Sequence, residues 1–140
     1  MKILLPVDGS DYTKRMLAYI AAHEQLLPGT HEYVVMTAVP LVPAHAARFL
    51  DRGVLEGYYH DQAEEVLSGV RAFAAQHRWM FREVAVRGHA ADAIADLAAA
   101  EKPDLIVMGS HGHSAFGSML LGSVASGVLA RCHVPVLLIR

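Results

Sequence analysis

Leu105-Ile106-Val107-Met108-Gly109-Ser110-His111-Gly112 opens with four apolar residues in a row and then runs onto glycine. An unbroken apolar run of this length suits a parallel strand buried on both faces; a strand with one wet face would alternate. Other runs read the same way. Ile3-Leu4-Leu5 with Val7 stops at Asp8-Gly9-Ser10, Tyr33-Val34-Val35-Met36 continues to Val39, and Val134 to Ile139 is apolar throughout. Phe81, Val84, Ala85 and Val86 make a further strand. Between the strands, apolar residues recur at helical spacing. Met16, Leu17, Ile20 and Ala21 mark a helix that Ser10 or Asp8 caps and Pro28-Gly29 closes. Ala63, Val66, Leu67, Val70, Phe73 and Ala74 keep one apolar face. Ile94, Leu97 and Ala98 mark a short helix, and Ser123 to Arg131 a last one with Val124, Ala125, Val128 and Leu129 on one face. Pro40, Pro43 and Gly53 interrupt any pattern, so residues 40–60 read as an elaborated loop with a helical turn around Ala44 to Leu50. The order βαβαβαβαβ predicts a single α/β domain over residues 1–140, a parallel sheet with helices on both faces.

Composition narrows the function. The chain has 140 residues, a formal charge of -2 and nine histidines outside that sum. Hydrophobic residues at 54% and charged ones at 19% exclude a wholly disordered chain. Twelve Lys and Arg against fourteen Asp and Glu exclude a strongly basic nucleic-acid binder. The single cysteine, Cys132, excludes an internal disulfide, a CxxC pair and a multi-cysteine zinc site. No apolar run approaches a membrane span, and Pro6, Asp8, Gly9 and Ser10 interrupt any leader-like opening. The expected setting is cytoplasmic, without a membrane or nucleic-acid partner.

In an open α/β sheet, ligands sit at the carboxyl ends of the strands near the switch point. Two segments end there: Val7-Asp8-Gly9-Ser10 after strand one, and Gly109 through Gly122-Ser123 after strand four. Gly109 and Gly112 permit backbone angles that other residues resist and let a ligand come close. Gly122 and Ser123 open a helix whose free N–H groups and positive dipole end attract phosphate. The Asp8 carboxylate can accept from a ribose hydroxyl or hold a metal ion.

Taken together these residues resemble the universal stress protein family. Its nucleotide-binding signature is Gly, two residues, Gly, nine residues, Gly, then Ser or Thr; Gly109, Gly112, Gly122 and Ser123 match it. Asp104 to Met108 before it, Val134-Pro135-Val136-Leu137-Leu138-Ile139 after it and the opening Ile3 to Ser10 are similar to the family's flanks. The resemblance covers nearly the whole chain. It implies a Rossmann-like domain with strand order 3-2-1-4-5, a homodimer, and ATP in the crevice, with ADP or AMP as alternatives and Mg²⁺ as a companion. It places Asp8 at the ribose with Pro6 and Val7 close by, and Val39 near adenine. Met108, Gly109, His111 and Gly112 would line the base and ribose side. Gly122, Ser123 and Val124 would meet the phosphates. The implied role is that of a nucleotide-dependent regulatory factor with an unidentified protein partner.

One departure stands out. His113 follows the second glycine where many nucleotide-binding relatives carry Arg or Lys, and no Lys or Arg occurs from Gly109 through Ser123. Phosphate binding would then rest on backbone N–H groups, the helix dipole, Mg²⁺ and any protonated His111 or His113, and would strengthen on acidification through the usual histidine range near pH 6.5. Gly122→Val is expected to block phosphate and leave the fold largely intact.

Other readings carry less. His111 and His113 make an incomplete metal site. Ser110, His111 and Asp8 form an imaginable hydrolytic set, but the G-x-S-x-G elbow, the Walker A lysine and the G-x-G-x-x-G fingerprint are absent. No dedicated catalytic residue is expected. A slow ATPase or self-phosphorylating enzyme and a nucleotide-free homodimeric module are the alternatives. The apolar Val134 to Ile139, at the sheet edge in the implied order, would pair with a second copy unless residues 40–60 cover it.

Overall fold

The central strand has no wet side. In the computed structural model, which describes residues 1–26, 30–113 and 120–140, Ile3, Leu4 and Leu5 are each 0% exposed. They belong to β1 (Lys2–Pro6), flanked by β2 (Glu32–Val39) and β4 (Leu105–Gly109). With β3 (Phe81–Arg87) and β5 (Val136–Ile139) the sheet has the order β3-β2-β1-β4-β5, and every pair is parallel. This is the order the family resemblance implied.

Alternate residues of each strand enter two separate cores. Ile3, Leu5, Val35 and Val107 pack with Met16 and Leu17 of α1 (Asp11–Ala22) and with Leu67 and Val70 of α3 (Arg52–His77). Leu4, Val34, Ile106 and Met108 pack with Ile94 of α4 (Ala90–Glu101) and Val128 of α5 (Ser123–Arg131). A period of two feeding two helical layers is why the strands read as continuous apolar runs. Leu129, assigned to the buried face of the last helix, is instead exposed. Pro28-Gly29, taken as the end of the first helix, lies outside the described residues; α1 ends at Ala22 and a 3-10 turn follows at Glu24–Leu26.

The larger correction is α3. It starts at Arg52, inside the stretch expected to be a loop, after a short α2 (Ala44–Ala47). Leu55 and Tyr59 extend the apolar face of Ala63, Leu67 and Val70 backward by two turns. The Tyr59 hydroxyl accepts a hydrogen bond from the Val42 amide at 2.9 Å. Gly53 and Gly57 have open space where a side chain would be. Each glycine costs the helix about 1 kcal/mol in propensity, which the buried Tyr59 side chain outweighs. Because α3 packs on β2 and β3, this segment does not cover β5 at the opposite edge.

Candidate functional site

Strand order reverses between β1 and β4, and a cleft of about 780 Å³ opens at their carboxyl ends. Pro6, Val7, Asp8, Val39, Met108, Gly109, His111, Gly112, His113, Gly122, Ser123 and Val124 all line it. Residues more than a hundred positions apart in sequence therefore meet because β1 and β4 are neighbours.

The β1 side is a tight turn. Asp8 Oδ1 accepts from the Ser10 amide at 3.0 Å and from the Thr13 hydroxyl at 2.9 Å. Gly9 sits at φ 76°, in the left-handed region. Ser10 is the N-cap of α1 and accepts from the Thr13 amide at 3.4 Å, so Asp8 is not the cap. Its second oxygen, Oδ2, faces Gly112: a Cβ there would lie 2.5 Å away.

The β4 side is built on close approach. Gly109 and Gly112 were expected to supply unusual backbone angles, but neither is among the glycines at positive φ. They supply space. A Cβ on Gly109 would lie 2.7 Å from Cβ of Tyr12, in the first turn of α1. A Cβ on Gly122 would lie 3.0 Å from the His111 Cα and 3.1 Å from the Ser110 carbonyl oxygen, which accepts from the Gly122 amide at 2.8 Å. Gly122→Val would therefore press on the loop backbone itself, which must give by a few tenths of an ångström to admit even the Cβ.

The two histidines do different things. His113 Nε2 donates to the Asp8 carbonyl at 2.6 Å, since a carbonyl can only accept; this bond ties the glycine loop to β1. His111 lies against the Tyr12 ring, centroids 5.2 Å apart, and its Nδ1 shares a hydrogen bond with the Ser110 hydroxyl at 3.0 Å. Ser110 is 1% exposed. A buried, paired hydroxyl offers no nucleophile to a ligand in the cleft, and the imagined hydrolytic set comes apart. Among the described residues, no group of three or more His, Cys, Asp or Glu converges as metal ligands.

The last wall is α5. Gly122 is its N-cap and supplies no capping side chain, and no acidic residue occupies the first turn. The amides of Ser123, Val124 and Ala125, all lining the cleft, head a helix whose positive end points into it. α3 adds residues that sequence reasoning missed: Gln62, Glu65 and Val66 also line the cleft. They stand at i, i+3 and i+4 on one face of α3, but helical spacing alone does not show that this face meets the cleft. Val66 sits 3.6 Å from where a Gly9 Cβ would be, so α3 abuts the Asp8-Gly9 turn. None of the described lining residues is Lys or Arg, and the carboxylates among them are Asp8 and Glu65.

The profile of the universal stress protein family matches residues 1–140. The chain belongs to that family. A universal stress protein of Thermus aquaticus, described by its place in the QAH/OAS sulfhydrylase 3' region, is 38% identical over 140 residues, covering 99% of this chain and 97% of that one. Among solved structures, the Methanocaldococcus jannaschii universal stress protein MJ0577 superposes with a TM-score of 0.82 at 25% identity, over 99% of this chain and 94% of its own. A universal stress protein of Archaeoglobus fulgidus in complex with dAMP gives a TM-score of 0.69 at 25% identity, over 100% and 98%. Membership accounts for the strand order and for the glycine spacing after β4. The charge of this member's cleft is a property of its own residues.

Proposed function

We propose that this universal stress protein binds an adenine nucleotide in the cleft, and that occupancy regulates which partners it engages. The observation that carries the reading is the uncapped start of α5, whose amides at Ser123 and Val124 face the cleft with no side chain of their own to satisfy them. An anionic phosphate suits that position. Val7, Val39 and Met108 offer an apolar seat for a purine, and Asp8 Oδ2 an acceptor for a ribose hydroxyl. Two relatives at 25% identity have been solved with dAMP and with cAMP, which supports the same ligand class here.

ATP is the nucleotide the glycine signature points to, with ADP and AMP as alternatives. Mg²⁺ would ride on the phosphates, with Asp8 or Glu65 adding an oxygen, because hard cations keep much of their water when few carboxylates converge. A regulatory role fits the cleft better than turnover, since Ser110 is withdrawn and none of the described lining residues is a lysine. The protein would act in the cytoplasm as a homodimer joined through Val134 to Ile139. Among the described residues no helix is long and apolar enough to cross a membrane.

Mass spectrometry of small molecules released from the purified protein, with calorimetric titration of ATP, ADP and AMP, tests the proposal. An adenine nucleotide should be released or bound; no binding of any of the three at millimolar concentration would refute it.

A further inference from the structure

We infer that the cleft discriminates among adenine nucleotides by charge, with Glu65 as the selecting residue: without a divalent cation, each phosphate beyond the first weakens binding. This rests on the nucleotide reading above and adds to it the class of nucleotide preferred. The fixed charges of the described walls are both negative, Asp8 and Glu65. Other glutamates on the same side are held in ion pairs. Glu56 pairs with Arg87, while Glu64 and Glu83 share Arg71. Glu65, one residue along from Glu64, has no ion-pair partner among the described residues and lines the cleft. Contact between Val66 and the Gly9 turn brings that part of α3 beside Asp8.

Against this, the positive end of α5 offers roughly half an elementary charge, enough to favour one phosphate at its amides. A β- or γ-phosphate reaching beyond the first turn finds no lysine or arginine among the described lining residues and is repelled by the carboxylates. Mg²⁺ chelated by a di- or triphosphate would offset most of the added charge, leaving less for Asp8 and Glu65 to repel.

Calorimetric titration of AMP, ADP and ATP into the wild type and Glu65→Gln, in EDTA and in excess Mg²⁺, tests this. Glutamine keeps the length and helix propensity of the side chain, and a matching melting temperature checks the fold. In EDTA at low salt, AMP should bind about tenfold more tightly than ATP; Glu65→Gln should narrow that ratio about threefold, and raised salt should shrink the effect. Mg²⁺ should bring ATP to within about threefold of AMP. ATP binding as tightly as AMP in EDTA, or a ratio untouched by Glu65→Gln, overturns the inference while leaving nucleotide binding in place. Failure of all three ligands to bind overturns both.

Discussion

Asp8 divides its two carboxylate oxygens between two tasks. Oδ1 holds the turn through Ser10 and Thr13, and Oδ2 is left at the cleft beside Gly112. Asn at this position keeps an acceptor for the turn and gives up the charged acceptor. Asp8→Asn should therefore change stability by less than about 1 kcal/mol in urea unfolding, while nucleotide affinity falls about tenfold by calorimetry, the worth of a charged hydrogen bond to a ribose hydroxyl. An unchanged affinity would remove Asp8 from the proposed site. That Asp8, Gly109, Gly112, Gly122 and Ser123 share one crevice was legible in sequence, because glycines and a carboxylate directly follow buried strands. What each glycine does was not. Sequence shows which residues lack a Cβ, but the neighbour that forbids one, Tyr12 at Gly109 or Asp8 at Gly112, comes from a different element. His113 shows the same limit. Read as a cation for phosphate, it spends Nε2 on the Asp8 carbonyl and fastens the loop.

At the scale of elements, α5 is aimed by α4. A Cβ on Gly127 would lie 2.6 Å from the Ala91 Cβ, so the two helices approach too closely for any side chain at that point. Gly127→Ala gains about 1 kcal/mol of helix propensity. It should nonetheless lower stability by about 1 to 3 kcal/mol, because neither methyl can move aside without shifting a helix. A raised midpoint in thermal or urea unfolding would contradict the packing. At the far end of the sheet from the cleft, Glu101 of α4 bonds Arg82 at 2.6 Å and Lys2 at 3.3 Å, joining α4 to the start of β3 and β1. The hydrogen bond from Arg82, and after it that from Lys2, holds the Glu101 carboxyl below its ordinary value of 4.5. A carboxyl lowered in the folded state stabilises at pH above that ordinary value and stops doing so as pH falls through the folded value. The wild type should lose this contribution only below about pH 4.5. Glu101→Gln should lack it already at pH 7 and show a shallower acid limb, with nucleotide affinity unchanged. Thermal melts from pH 7 to 3 would read the difference, and parallel curves would refute it. The elements themselves were legible wherever apolar spacing was dense. α3 was misjudged at its start because Gly53 and two prolines are local signals for a break, whereas the buried contacts of Tyr59 and Leu55 are tertiary.

The whole molecule has two unlike edges. β3 carries Arg82, Glu83 and Arg87, and these are tied to Glu101, Arg71 and Glu56. Charges of this kind protect an edge from pairing with other chains. β5 carries only Val136, Leu137, Leu138 and Ile139, the first three half-buried. Its inner ladder is defined: the amides of Ile106 and Ser110 donate to the carbonyls of Pro135 and Ile139. In a parallel ladder with this alternation, Leu137 also turns its backbone groups inward, and those of Val136 and Leu138 turn outward. Parallel strands and helices on both faces were legible from the apolar runs alone; that β5 would be an edge came from the family resemblance, since alternation does not order strands. An apolar edge with outward amides is satisfied when two copies meet about a two-fold axis, each supplying the other's missing strand. Light scattering coupled to gel filtration should then give twice the 15.2 kDa chain mass at micromolar concentration. Val136→Pro removes an outward amide and leaves the inward bonds of Pro135, Leu137 and Ile139, so it should yield a folded species at the chain mass. A wild type that elutes as a monomer would refute the pairing. A variant that stays dimeric would move the interface off β5. Because Val136→Pro leaves the Ser110 amide bonded to the Ile139 carbonyl, the loop that carries His111 stays braced, and the monomeric variant should bind nucleotide as tightly as the wild type.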